Sequence, residues 1–289
     1  MKRKFEQEAE ERFLTNFGIE YPYKNKIKAK LQIEKGKILV LAVLHEPYSN
    51  EKILKDCLQH NDSEEVILAG DIGDFYSKSR FRKTKYVSFR DEVRSIFYRL
   101  EWLSINFQSI KIMLGNHDNR PEKKLAEALG DDVDLLALTE NNLLKRLASY
   151  FDNIQIVGTT LITSDSSYNV DMTHIFQYGD CIFTHAEKSM TQESALMGGI
   201  SLYLSKWKKE LKLKDYKVIA QAHNHTALKQ CKGSECWFMI PTCSEKKSIG
   251  FDYVYNTRMI GNPPQSGYML MYQKNGVTDI NRTNYFIYE

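Results

Sequence analysis

Five of the seven histidines of this chain lie in four short polar motifs, and a fifth motif contributes carboxylates. Each motif directly follows an apolar run. In chain order they are Val43-Leu44-His45, Gly70-Asp71-Ile72-Gly73-Asp74, Gly115-Asn116-His117-Asp118, Thr184-His185-Ala186 and Ala222-His223-Asn224-His225. Imidazole, carboxylate and amide groups are typical ligands of hydrolytic centres that contain two divalent metal ions. The motifs together therefore predict metal-assisted hydrolysis.

Each motif on its own has an ordinary structural explanation. A single histidine such as His45 is more often a satisfied polar residue than a ligand, and Gly-Asp after a strand is a common turn. The joint occurrence of all five motifs favours a shared site, because sites in α/β proteins form at the carboxyl ends of strands.

The elements that would position these motifs alternate along the first half of the chain. Apolar runs at 37–44, 66–69 and 110–114 predict buried strands, and a motif lies at or just after the end of each run. Apolar residues at helical spacing predict a long amphipathic helix at 86–107. Shorter helices are predicted at 50–59, near 121–129 and at 132–149.

The second half is richer in strands. They are predicted at 153–157, 174–178, 180–184, 216–220, 237–240, 267–272 and 285–288, with one helix at about 190–211. We see no repeat or linker that would divide this region. We therefore predict an N-terminal helix and lead-in over 1–36 and one α/β domain over 37–289.

Composition narrows the class of protein further. The chain has 289 residues, 42% of them hydrophobic, and a net charge of +3, so no global field marks it as a polyanion binder. No apolar run approaches the ~20 residues of a membrane span, and the first residues do not form a secretory signal. Five cysteines without zinc-site spacing predict reduced thiols and a cytoplasmic location, with a surface turn between Cys231 and Cys236.

The motifs, taken in order, resemble those of the calcineurin-like metallophosphoesterases. Residues 42–48, Ala-Val-Leu-His-Glu-Pro-Tyr, match the family's Ser-Asp-Leu-His-x-Pro-Tyr at all but two positions. Residues 70–77 with 79–81, and Pro-Gln-Ser-Gly-Tyr at 264–268, resemble a phage and bacterial branch of the family. The resemblance covers about residues 37–273. It implies a four-layer αββα sandwich with two mixed β-sheets.

The resemblance also implies a dinuclear metal centre. Asp71 would bridge the two ions. The remaining ligands would be Asn116, His185 and His223 for one ion and His45 and His225 for the other. Because no cysteine lies in the motifs, the ligand set argues against a thiolate site and for Mn²⁺, Fe, Mg²⁺ or Zn²⁺. We expect Mn²⁺, with Fe, Mg²⁺, Zn²⁺ and Ni²⁺ as alternatives.

Three further residues would act on the substrate. His117 would face the scissile phosphate as a general acid or charge stabiliser, and Asp74 would orient its ring. Arg120 would contact a phosphate oxygen. The structural alternative for Arg120 is a solvated arginine at the start of a helix.

One position departs from the family pattern, because Val43 stands where the family has a ligand aspartate. Valine cannot bind a metal, so we expect the site that contains His45 to be weakened. Three outcomes stay open: an enzyme with a weak first metal, a one-metal enzyme, or an impaired relative that still binds phosphates.

The substrate class is indicated by a basic, aromatic stretch at 78–90 that directly follows the Gly-Asp motif. Basic and aromatic side chains beside a phosphoesterase site are typical of nucleic-acid or nucleotide binding, although a solvated loop has the same composition. Phe75 replaces the arginine of the family's protein phosphatases. We therefore predict a phosphodiesterase or nuclease, with a phosphomonoesterase for small molecules or proteins as the alternative.

Overall fold

The computed structural model describes residues 11–20, 32–79, 86–130, 142–162, 169–185, 193–245 and 264–288. The helices within them are α1 (Glu51–Cys57), α2 (Phe89–Asn106), α3 (Arg120–Leu129), α4 (Leu143–Ala148) and α5 (Glu193–Lys206). The strands are β1 (Glu34–Leu41), β2 (Ser63–Ala69), β3 (Ile110–Met113), β4 (Ile154–Ile156), β5 (Thr159–Ile162), β6 (Asn169–Met172), β7 (Ile175–Tyr178), β8 (Cys181–His185), β9 (Val218–Ala222), β10 (Leu228–Lys232), β11 (Glu235–Met239), β12 (Ser266–Lys274), β13 (Val277–Thr278) and β14 (Asn284–Tyr288).

Two mixed sheets form the centre of the fold. The first has seven strands in the order β13-β12-β1-β2-β3-β4, with β14 also paired to β12. Strands β1 to β4 of this sheet are parallel, and β12 joins β1 in the antiparallel direction. The second sheet has the order β10-β11-β9-β8-β7, with β8, β9 and β11 parallel. Strands β5 and β6 form a separate hairpin.

The sheets pack face to face because their strands carry apolar side chains on both faces. One buried cluster joins Val40, Ile67 and Met269 of the first sheet to Phe183 and Phe238 of the second. Such continuous apolar runs are expected for strands that are covered on both sides.

The outer faces of both sheets are covered by helices. The first sheet packs against α1, α2 and α4 through a cluster that includes Leu54, Val93 and Leu147. The second sheet packs against α5 through Ile182, Ile219 and Leu204. The result is the four-layer αββα sandwich, so the predicted fold class is confirmed.

Side-chain caps fix the start of α1 and of α2. The Asn50 side chain accepts hydrogen bonds from the first backbone amides of α1, and Ser88 does the same at the start of α2. Such N-caps satisfy amides that have no partner within the helix. None of the described helices is long and apolar enough to cross a bilayer.

Several local predictions need correction. The helix predicted at 132–149 begins only at Leu143, and residues 131–141 lie outside the described ranges. Of the predicted N-terminal helix, residues 11–16 are helical and 1–10 lie outside those ranges. The prediction of reduced thiols is wrong for Cys231 and Cys236, which form a disulfide. They are directly opposite each other in the β10–β11 hairpin, and that pairing brings their sulfurs together.

Candidate metal centre

The five motifs meet because they follow neighbouring strands at the same edge of each sheet. β1, β2 and β3 are adjacent and parallel, so His45, Asp71 and Asn116 emerge side by side. In the second sheet, His185 ends β8 and His223 follows β9, its parallel neighbour. Backbone hydrogen bonds of 3.0 Å from Val43 N to Gly70 O and from His45 N to Asp71 O join the first two loops.

One ligand group contains Asp71, Asn116, His185 and His223. Potential ligand atoms of Asp71, His185 and His223 all lie within 4.8 Å of one another. The Nε2 atom of His185 lies 3.1 Å from Asp71 Oδ2 and 3.2 Å from Asn116 Oδ1. The structure therefore brings together all four residues that the resemblance assigned to one ion.

The chemistry of these atoms fits a divalent cation. His185 Nδ1 lies 2.8 Å from the carbonyl oxygen of Ala69, which can only accept, so Nδ1 carries the proton and Nε2 presents its lone pair. That lone pair faces two oxygens that are also acceptors. The buried Nδ1 atom of His223 has no hydrogen-bond partner among the described residues. A cation would satisfy this convergence of lone pairs.

The second group differs from the one that the resemblance implied. Here the ligand atoms of His45, Asp71 and His117 lie within 4.8 Å of one another. The ring of His225 lies next to that of His45, with 5.6 Å between centroids, but His225 does not belong to that group. The structure thus places His117, which was predicted to act on the substrate, close enough to the second group to compete with His225 as a ligand.

His117 also belongs to a chain of hydrogen bonds that contains Asp74 and Arg120. Its Nδ1 atom lies 2.7 Å from Asp74 Oδ1 and 3.1 Å from Asp74 O, so Nδ1 carries the proton. On the other side of the ring, Arg120 Nη2 donates to Nε2 over 2.9 Å, and Nη1 donates to Asp74 O over 2.8 Å. The predicted contact by which Asp74 orients the His117 ring is therefore present. Arg120 is hydrogen-bonded to Nε2 of His117, the nitrogen that would face a substrate.

Electrostatics bring most groups of this cluster to the state that favours cations. His185 is the exception, because burial is outweighed by Asp71, which raises the pKa of His185. Burial opposes the ionisation of Asp71, but His185, His117 and His45 outweigh it and hold the pKa of Asp71 well below its usual range. Burial, with His185 nearby, lowers the pKa of His223 to about 3. Burial likewise lowers the pKa of His117, and the charges of His45 and Arg120 add to the effect. Anionic aspartate beside neutral imidazole is the protonation state that binds a metal.

Sequence reasoning did not assign a role to Asp118, although it lies in one of the motifs. Its side chain is fully buried and accepts hydrogen bonds from the amides of Gly73, at 3.0 Å, and Gly115, at 2.8 Å. Burial, together with the charge of Asp71, raises the pKa of Asp118 to about 7. Asp118 therefore positions two site loops relative to each other. An aspartate directly after Asn-His was the available signal.

The backbone of the site is strained at several residues. Six non-glycine residues in or beside the motifs have positive φ angles: Val43, His45, Asp71, Phe75, His223 and His225. Such conformations cost free energy and cluster at functional sites, where the surrounding structure enforces them. Gly115 is needed for a related reason, because a Cβ atom there would lie 2.1 Å from Asp71 Oδ1.

Val43 contributes to the packing between the sheets. Its side chain is fully buried in the apolar cluster between the sheets, and its carbonyl oxygen accepts a hydrogen bond from Thr242 Oγ1 over 2.8 Å. Its φ angle is 56°, which is unfavourable for a β-branched residue. The local backbone is thus held in a conformation that an aspartate would adopt more readily.

The predicted basic stretch is described only in part. Arg80, Arg82, Lys83 and Lys85 lie outside the described residues. Before the gap, Lys78 Nζ lies 4.3 Å from the ring centroid of Phe89, and after it the Tyr86 side chain is 92% exposed. The role of this stretch in binding stays a prediction.

Glu92 of α2 anchors the loop that carries Asp74. Its carboxylate is fully buried and accepts a hydrogen bond from Ser77 Oγ and one of 3.3 Å from Ser77 N. Burial, reinforced by the negative charge of Asp74, raises the pKa of Glu92 from 4.5 to about 7. At neutral pH, ionisation of this carboxyl therefore opposes folding.

A Glu92→Gln variant should make stability less dependent on pH. In the wild type, the folded state retains a proton that the unfolded chain releases between pH 4.5 and about 7, so stability falls as the pH rises through that range. The loss amounts to about 3 kcal/mol at most. Urea unfolding at pH 5 and pH 8 measures it, with the exposed Glu127→Gln as the control. Equal pH dependence in the wild type and Glu92→Gln would contradict this account.

No family model matches the sequence, and no curated protein is similar to it at a significant level. Among solved structures, the fold is similar to Vps29 of Entamoeba histolytica in complex with Zn²⁺, at 10% identity over 88% of this chain and 99% of that one, with a TM-score of 0.39. An archaeal phosphodiesterase matches at 16% identity over 87% and 99% of the two chains, with a TM-score of 0.37.

A predicted phosphoesterase from Streptococcus pneumoniae is also similar, at 11% identity over 89% of this chain and 99% of that one, with a TM-score of 0.31. A likeness at these identities concerns the fold alone. The function of this chain has to follow from its own site.

Proposed function

We propose that the protein is a metal-dependent phosphodiesterase that acts on nucleic acid or nucleotides. The observation that supports this most strongly is the position of His117. A nitrogen of its ring lies within 4.8 Å of the ligand atoms of His45 and Asp71, and the ring is also hydrogen-bonded to Asp74 and Arg120. Divalent ions held there by Asp71, Asn116, His185 and His223, and by His45 with His225 or His117, would supply Lewis-acid stabilisation of a phosphoryl group.

Phosphate binding and proton transfer would be carried out by the side chains of Arg120 and His117. Arg120 exchanges its hydrogen bond to His117 Nε2 for two hydrogen bonds to the phosphate. This releases Nε2, which takes up a proton from solvent and transfers it to the leaving oxygen while Asp74 keeps the ring in place. Arg120 contributes one positive charge, which matches the single negative charge of a phosphodiester. The basic residues of the 78–90 stretch extend binding along a polynucleotide.

A second candidate is a phosphate- or nucleic-acid-binding protein with impaired catalysis. Val43 favours it, because a buried apolar side chain stands where the resemblance requires a carboxylate ligand. In that case the ligand group around His185 would bind an ion that anchors a phosphate without hydrolysing it.

Turnover of two chromogenic esters separates these functions. With Mn²⁺ added, we expect hydrolysis of bis(p-nitrophenyl) phosphate to exceed that of p-nitrophenyl phosphate, and we expect Asp71→Asn to abolish both activities. The reverse preference would indicate a phosphomonoesterase. Absence of turnover despite stoichiometric binding of Mn²⁺ would favour the impaired relative.

A further inference from the structure

Helix α5 and the turn after it expose aromatic and apolar side chains on the outer surface of the second sheet. Leu202, Tyr203 and Trp207 are 64%, 40% and 42% exposed. The Tyr203 and Trp207 rings are neighbours, with 6.4 Å between centroids. The opposite face of this region provides the packing, because Leu204 and Leu211 are buried against the sheet. These two rings therefore contribute little to the core.

The same region is strongly basic. Residues 205–217 include six lysines and two acidic residues. Of the lysines, Lys206, Lys209, Lys212, Lys214 and Lys217 are exposed, and Lys208 pairs with Asp215 over 2.5 Å. We call Tyr203 and Trp207, together with their sequence neighbours Lys206 and Lys209, the Trp207 face. Its excess of positive charge selects an anionic partner and disfavours a second copy of the same face.

Two kinds of anionic partner fit this charge, a membrane surface and single-stranded nucleic acid, and the shape of the Trp207 face favours the second. A helix that lies in a membrane surface needs a long, free apolar stripe, and here Ile200 and Leu204, among the described side chains of α5, are already packed on the sheet. Exposed aromatic rings among lysines, in contrast, are the elements that bind single-stranded nucleic acid, in which bases stack on rings and phosphates contact cations.

The distance between the Trp207 face and the metal centre determines how long a nucleic acid must be to contact both. Because β8 and β9 are parallel, the chain between them must return, and the end of α5 lies at the opposite edge of the sheet from His185 and His223. A helix of 14 residues spans about 21 Å. A strand bound at both places therefore needs several nucleotides, whereas a small diester reaches only the metal centre.

We propose that the Trp207 face is a second binding surface for single-stranded nucleic acid, remote from the metal centre. The proposal rests on the proposed function for its choice of a polynucleotide. Binding and hydrolysis can nevertheless be measured separately, so either can fail without the other.

Binding is tested with fluorescein-labelled dT20 in EDTA, which prevents hydrolysis, and is measured by fluorescence anisotropy. The double variant Tyr203→Ala/Trp207→Ala should bind about ten-fold or more weakly than the wild type, since each lost base stack weakens binding. Lys206→Gln/Lys209→Gln should reduce the slope of log K against log salt concentration by about 1.4. Tyr98→Ala, which removes an exposed tyrosine from α2, is the matched control and should bind like the wild type.

Hydrolysis provides the second readout. The aromatic double variant should keep the turnover of bis(p-nitrophenyl) phosphate and show a raised KM for dT20 alone. If no ester is hydrolysed but dT20 binding still depends on these two rings, the proposed catalysis fails and the binding surface stands.

Three results would overturn the proposal. The first is unchanged dT20 affinity in the double variant. The second is binding of the wild type to phosphatidylserine vesicles without binding to dT20, which would make this a membrane surface. The third is a wild-type dimer, detected by light scattering, that the double variant converts to a monomer.

Discussion

Replacing His117 with alanine should lower kcat for bis(p-nitrophenyl) phosphate by about 10²- to 10⁴-fold, the usual contribution of a positioned general acid. The reason lies in its contacts, because Asp74 fixes Nδ1 and leaves Nε2 as the nitrogen that can serve the substrate. Arg120 holds that nitrogen before substrate binds. Metal binding should change much less than kcat.

The measurement pairs steady-state kinetics with the metal content of the same samples. His60→Ala is the matched control, since His60 contacts Tyr268, belongs to neither ligand group and should retain full activity. His117 also lies within 4.8 Å of ligand atoms of His45 and Asp71. If the His117→Ala variant loses one bound ion together with its activity, His117 is a ligand and the role given to it here is wrong.

Replacing Val43 with aspartate should make the protein less stable than the wild type without metal and more stable with it. In EDTA, Val43→Asp should melt at a lower temperature than the wild type, because a carboxylate would be buried without a partner. With Mn²⁺ the order should invert, since the new ligand adds a negative charge beside the cations. We expect the affinity for the weaker ion to increase about 10- to 100-fold, or about 1.4 to 2.8 kcal/mol.

Backbone strain has to be separated from charge in this experiment. Aspartate and asparagine both tolerate a positive φ angle better than valine, whose φ here is 56°. Val43→Asn therefore relieves the same strain without adding the charge. Calorimetric titration of all three forms with Mn²⁺ is decisive. Equal ion binding by the wild type and Val43→Asp would mean that position 43 does not face the metal centre.

The strands that carry the site could be predicted because each is a continuous apolar run. The runs at 66–69 and 110–114 correspond to β2 and β3, and the motifs after them lead directly to Asp71 and Asn116. The amphipathic pattern at 86–107 became α2, which begins at Phe89 after the Ser88 cap. Elements that are buried on one or both faces have an amphipathic pattern or a continuous apolar run in the sequence, and these elements show such patterns.

Elements without such a pattern could not be predicted from the sequence. Strand β10 has four exposed residues out of five, so it carries no apolar run, and its position depends on pairing with β11. The Cys231–Cys236 disulfide depends on that same pairing. The second ligand group shows the same limit, because whether His117 or His225 lies nearer to His45 depends on ring positions that spacing along the chain does not determine.

The parallel pairing of β8 with β9 determines which sequence changes the metal centre can tolerate. His185 is opposite Ala222, and His223 is the next residue, so the separation of these two imidazoles depends on the distance of about 4.8 Å between neighbouring strands. The 32 residues from 186 to 217 that connect the two strands do not enter into that distance. Insertions, deletions or a grafted segment in this connection can therefore alter the outer surface while the spacing of the two histidines stays constant.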